Sequence, residues 1–150
     1  MRLQRTDSSD PDFLRLVRLL DAELAELDGE DHAFYSLYNN VDRIRYVVLC
    51  YKDSELVGCG GMKKTDPAGV EIKRMYVDPD LRGQGVATQI LTELEKWAYA
   101  VGIERIVLET GKRQPDAIHL YEKNGYQRIP NFGPYKGVEN SVCFEKHLTK

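Results

Sequence analysis

The chain has few of the residues that build metal or redox centres: its 150 residues include three cysteines and three histidines. Cys50, Cys59 and Cys143 form no CxxC pair, and each sits in an apolar run. An odd number of such cysteines reads as reduced core thiols and a cytoplasmic location. The histidines are scattered, so no metal site is expected. No apolar run approaches the ~20 residues of a membrane-spanning helix. The opening MRLQRTDSSD lacks the apolar stretch of a secretory signal. Positive charge is in the minority, with 21 Lys and Arg against 24 Asp and Glu. That balance argues against a general nucleic-acid binder, which carries a basic surplus.

What is present suits a globular protein. The apolar fraction is 42%, and the length is that of one domain, so residues 1–150 are read as a single unit. Residues 1–6 form a candidate strand. Ser8, Ser9 and Asp10 offer capping oxygens ahead of Pro11, and Phe13, Leu14, Leu16, Val17, Leu20, Leu24 and Leu27 recur at helical spacing. Asp28-Gly29 ends that helix, and residues 31–40 suggest a second, shorter one. RYVVLCY (45–51) and LVGCGGM (56–62), separated by KDSE, signal a hairpin, and VEIKRMYV (70–77) is a further strand. A helix over 84–101 carries Val86, Ile90, Leu91, Leu94, Trp97, Ala98 and Val101 on one stripe and stops at Gly102. RIVLET (105–110), a helix from Pro115 to about Lys123, YQRI and SVCFEKH (141–147) complete the series. The pattern predicts an α+β fold: a mixed, mostly antiparallel twisted sheet flanked by helices. The strands on either side of helix 84–101 should be parallel because a crossover joins them.

The segment RMYVDPDLRGQGVATQIL (74–91) carries most of the functional information. A strand meets Pro79, then an arginine and two glycines, then a helix. The first turn of a helix leaves about four N–H groups unpaired and favours negative charge. Gly83 and Gly85 let a ligand approach the main chain, Ala87 is small, and Arg82 adds a cation. These residues suit a phosphate or pyrophosphate, although a simple tight turn with a solvated arginine would use the same glycines. A Walker loop is excluded because no Gly-Lys-Ser/Thr follows. A dinucleotide fingerprint is excluded by Thr88 at its third glycine position.

Arg82-Gly83-Gln84-Gly85-Val86-Ala87 resembles the R/Q-x-x-G-x-G/A signature of the GNAT-type N-acetyltransferases, which use acetyl coenzyme A. Ala117-Ile118-His119-Leu120-Tyr121-Glu122-Lys123-Asn124-Gly125-Tyr126 resembles the same family's A-x-x-L-Y-x-x-x-G-F/Y segment. The resemblance implies a three-layer domain whose parallel strands splay apart to form the cofactor slot. It implies that Arg82, Gly83, Gln84, Gly85, Val86 and Ala87 hold the pyrophosphate, mostly through backbone N–H groups. Met75 and Val77 would pair with the pantetheine arm through their main chains. The family often has Asn where this chain has Gln114, whose longer amide would have to make that contact.

Transfer of an acetyl group to an amine needs a proton acceptor, because an alkylammonium of pKa near ~10.4 is only about a thousandth neutral near physiological pH. Glu71 matches a position where some family members carry a catalytic glutamate, and on a regular strand it would share a face with Met75. It could equally be a salt-bridged carboxylate beside Lys73. The resemblance assigns the backbone N–H of Met75 to the developing oxyanion. It makes Tyr121 the acid for the departing thiolate, since a phenol near ~10 is close to an alkyl thiol; a core tyrosine is the alternative. His119 reads as a surface residue. Phe34, Tyr35, Tyr38, Asn39 and Asn40, with the loop 131–140 and its Phe132 and Tyr135, are candidates for the acceptor side. Lys73 and Arg74 could hold a carboxylate, and Glu109 an ammonium. The expected activity is direct acetyl transfer to a small-molecule or amino-acid amine without a covalent enzyme intermediate. A peptide N-terminal acetyltransferase and a non-catalytic acyl-CoA sensor remain the alternatives. Neither nucleic acid nor membrane is an expected partner, and the oligomeric state is open, a homodimer included.

Overall fold

The computed structural model describes residues 1–28 and 44–148. The expected helix at 31–40, with Phe34, Tyr35, Tyr38, Asn39 and Asn40, lies outside the described residues. In chain order the elements are β1 (Arg2–Thr6), α1 (Pro11–Asp28), β2 (Tyr46–Lys52), β3 (Glu55–Asp66), β4 (Gly69–Val77), α2 (Val86–Ala100), β5 (Arg105–Gly111), α3 (Pro115–Lys123), β6 (Gln127–Ile129) and β7 (Ser141–His147). The strands form one seven-stranded sheet in the order β1-β2-β3-β4-β5-β7-β6. Every neighbouring pair is antiparallel except β4 and β5, the pair joined through α2. The α+β expectation and the parallel crossover therefore hold.

Local chemistry accounts for the element boundaries. The Asp10 carboxylate accepts from the Asp12 amide at 2.9 Å, which caps α1, and Pro11 occupies the first helical position. The β2–β3 turn places only Asp53 and Ser54 between the paired residues Lys52 and Glu55, both with positive φ, as a two-residue hairpin requires. Helix α2 begins at Val86, two residues later than the sequence suggested, because Gly85 adopts φ 84° and caps it from outside.

Two cores sit on opposite faces of the sheet. Phe13, Leu16, Val17 and Leu20 of α1 cover Val47, Leu49, Cys59 and Tyr76. Ile90, Leu91, Leu94 and Ala98 of α2 cover Val48, Met62, Val70 and Ile72, and Tyr121 of α3 joins the same cluster. Helix α2 lies so close to β3 that a Cβ on Gly60 would stand 2.9 Å from Ile90 Cγ2 and 2.4 Å from Met75 Sδ. The glycine-rich run in β3 is thus a packing requirement.

Strand β4 contains an irregularity that the alternating pattern did not reveal. Cys59 pairs with Tyr76, and Gly61 with Lys73, so Arg74 and Met75 together oppose Gly60. Arg74 takes φ 62° at this bulge. The extra residue reverses the face of everything beyond it. Glu71 and Lys73 lie on the α1 face, whereas Met75 packs against the α2 cluster. The expectation that Glu71 and Met75 share a face is corrected: it assumed an unbroken strand.

Candidate active site

Strands β4 and β5 stay paired only from Gly69↔Arg105 to Ile72↔Leu108. Beyond that β4 continues to Val77 and β5 to Gly111 without pairing to each other, which opens a slot. The Asp78 amide donates to Val57 of β3 at 2.8 Å. Strand alternation then directs the main-chain groups of Tyr76 to β3 and those of Met75 and Val77 into the slot. A cavity of ≈ 790 Å³ occupies this region, within the range of small-molecule sites.

At one end lies the glycine turn. Gly83 (φ 80°) and Gly85 (φ 84°) both occupy the left-handed region, and among the described residues, chain neighbours aside, no atom lies within 4 Å of a Cβ built on either. Gly85 provides no side-chain cap, so among the described residues no capping side chain takes up the first amides of α2. Arg82, Gly83, Gly85, Val86 and Ala87 line the cavity, while Gln84 is exposed and does not. The turn thus has the space and the unpaired donors that a diphosphate needs. Arg82, read from the sequence as a cation of the cradle, is already paired within the fold. It forks onto Glu23 of α1 at 2.7 and 3.0 Å, and its Nε donates to the Val77 carbonyl at 3.0 Å. This pairing raises its pKa further and ties the turn to α1.

The far wall is built by β4, β5, α3 and the loop before β7. Tyr121 is 5% exposed, and its ring contacts those of Tyr126 and Phe144. Burial, then the negative charge of Glu109, pushes its phenol well above the ordinary tyrosine range. The close match to an alkyl thiol is therefore not retained, and the hydroxyl keeps its proton at physiological pH. Gln114 lines the cavity at the start of α3 and makes no capping bond with its side chain. The Glu71 carboxylate accepts from the Tyr135 hydroxyl at 3.3 Å and lies 3.6 Å from Lys73 Nζ. Tyr135 is 2% exposed and stacks edge-on against Phe132, so the glycine-rich loop forms part of the wall. The Ser141 hydroxyl donates to Glu109 at 2.8 Å. His119 is exposed at the cavity's edge.

The structure thus gathers Glu71, Met75, Val77, Arg82, Gly83, Gly85, Val86, Ala87, Gln114 and Tyr121 around one cavity. Sequence reasoning did not find the Tyr135–Glu71 bond, the Glu23–Arg82 pair or the wall formed by Leu20, Leu24 and Leu27 of α1. The first two link residues 64 and 59 positions apart, and no local pattern signals them. The cysteines are buried, and burial raises the thiol of Cys143 to about 11 and that of Cys59 to about 12. Neither is a ready nucleophile.

Comparison with known proteins agrees with this geometry. Residues 13–126 match the family described as Acetyltransferase (GNAT) family. An IAA acetyltransferase of Azospirillum brasilense is 37% identical over 137 residues, covering 90% of each chain. A crystal structure assigned as an acyl-CoA N-acyltransferase from Klebsiella pneumoniae superposes with a TM-score of 0.83 at 32% identity, covering 99% of this chain and 97% of that one. A GNAT acetyltransferase of Elizabethkingia anophelis, solved with acetyl-CoA bound, shares the fold at 22% identity and a TM-score of 0.60, over 69% and 76% of the two chains.

Proposed function

Since the chain belongs to the GNAT acetyltransferase family, we propose that it moves the acetyl group of acetyl-CoA directly to the primary amine of a small molecule. The observation that carries this reading is the slot where β4 leaves β5, with the glycine turn at one end and Glu71 and Tyr121 on its walls. The turn's open amides hold the diphosphate, and Met75 and Val77 bond the pantetheine arm as an added strand. Acetyl-CoA supplies the thioester, and this chain's residues do the rest. Glu71 takes the proton of the incoming ammonium, directly or through water, with Tyr135 orienting its carboxylate. The Met75 amide donates to the carbonyl oxygen as negative charge develops there. Tyr121 passes its proton to the departing sulfur as the attacking nitrogen sheds one to the same hydroxyl, so no phenolate, which burial disfavours, is left behind.

The test is thiol release from acetyl-CoA with a panel of amines, small molecules and peptides included. Turnover of small amines above peptide N-termini is expected. Tight acetyl-CoA binding with no thiol release for any amine would point instead to a sensor.

A further inference from the structure

Arg74 stands out among the polar residues of the cavity wall. It lines the cavity but is only 9% exposed. Its Nη1 pairs with Asp21 of α1, whose side chain is half exposed. Its Nε is buried and has no hydrogen-bond partner among the described residues. A buried donor with no acceptor is a standing penalty that a ligand can relieve. Arg74 also holds φ 62°, a conformation unusual for a residue other than glycine, at the bulge that turns it onto the α1 face. Without the bulge, alternation would send position 74 to the opposite face, away from Glu71 and Lys73. The bulge thus puts an arginine on the same face as the expected proton acceptor, three residues along the strand and on the order of 10 Å away.

The groups around this half of the cavity are of both signs. Glu71 and Glu109 supply carboxylates, and Lys73 and Arg74 supply cations. A guanidinium takes a carboxylate side-on through its Nε edge, the edge that Asp21 leaves open. The Asp21 side chain is half exposed whereas that of Arg74 is 6% exposed, so Asp21 holds one edge of the guanidinium from the solvent side and leaves the Nε edge for a ligand. We infer that the acceptor is an amine that also bears a carboxylate, an amino acid in chemical class, and that Arg74 is the residue that selects it. The ammonium lies toward Glu71, where its proton is removed, and the carboxylate toward Arg74 Nε. This rests on the acetyl-transfer reading for its chemistry, but the carboxylate site has its own readout.

The experiment compares each amino acid with the amine left by removing its carboxyl group, for example tryptophan with tryptamine and phenylalanine with phenethylamine. Thiol release gives kcat and KM, and calorimetry on the coenzyme A-loaded enzyme gives binding. The expected result is a kcat/KM preference for the acid of about 10- to 100-fold, the range of a hydrogen bond between charged groups. Arg74→Gln should erase that preference, with kcat/KM for the acid falling about 10- to 100-fold more than for the decarboxylated amine, and the difference lying in KM for the acid. Arg74→Lys, which keeps the charge and most of the packing, should restore part of it and carries the test if Arg74→Gln does not fold. Equal turnover of acids and decarboxylated amines by the unaltered enzyme would overturn the inference and leave acetyl transfer standing. So would an Arg74→Gln loss shared equally by both substrates, which marks a purely structural pair with Asp21. Arg74-dependent binding of amino acids without any thiol release would uphold the carboxylate site and sink the transferase. Neither binding nor turnover of any acid would sink both.

Discussion

Replacing Gly85 separates the shape of the turn from its contact with ligand. Gly85 sits at φ 84°, where a side chain costs roughly 1–2 kcal/mol. Among the described residues, chain neighbours aside, no atom lies within 4 Å of the position a Cβ would take, so none of them clashes to add to that strain. For a chain of this size, each kcal/mol lowers Tm by about 2–4 °C. Gly85→Ala should therefore stay folded, with Tm lower by about 2–8 °C. Its methyl group enters the space proposed for the diphosphate, displacing one or two charged hydrogen bonds of ~1.5–3 kcal/mol each. Acetyl-CoA affinity should fall at least about tenfold. Gly85→Glu adds a carboxylate beside that diphosphate, with a repulsion on the order of 4 kcal/mol at contact distance near a protein surface. Binding should then drop below detection by calorimetry while the fold persists in thermal scans. A folded Gly85→Glu protein that binds acetyl-CoA as tightly as its parent would refute the cradle and the reasoning behind it.

Glu71→Gln keeps the shape that accepts from Tyr135 but removes the base, so kcat/KM should fall roughly 100-fold or more near neutral pH. The deficit should shrink as pH approaches the acceptor's own pKa; a constant deficit across pH would argue against proton removal by Glu71. Tyr121→Phe should lower kcat by about tenfold or more while KM for acetyl-CoA holds, and an unchanged rate from pH 6 to 10 would remove it as the acid. Burial raises the phenols of Tyr121, Tyr126 and Tyr135 well above the usual range and that of Tyr51 to about 12. Unfolding lets each ionise near ~10. The folded state therefore binds more protons at high pH; stability should begin to decline near pH ~8.5, where the buried thiols would ionise on unfolding, and fall more steeply above about pH 10, where the phenols join them. Thermal scans with phenolate absorbance test this; phenolate appearing well before unfolding would show that these rings are not shielded.

The sequence by itself determined the elements whose signals are local. Helix α1 follows from its capping aspartate and its apolar stripe, and the β2–β3 hairpin from two β-rich runs on either side of the polar KDSE, whereas the two-residue turn itself emerged only in the structure. The parallel pairing of β4 and β5 follows from a strand–helix–strand order that leaves only one favourable connection. The Arg-Gly-Gln-Gly turn was legible because glycine spacing and a helix start depend on neighbouring residues alone. Tertiary structure decided the rest. The bulge at Arg74 exists only because β4 must pair with β3 on both sides of Gly60 while Met75 fills the space beside α2. A period-2 pattern cannot register an inserted residue until its partner strand is known. The capture of Arg82 by Glu23, the Tyr135 hydroxyl on Glu71 and the burial that raises Tyr121 all join residues distant in sequence. Conformational preference is written residue by residue, but charge pairing and desolvation depend on which distant segments the closed sheet brings together.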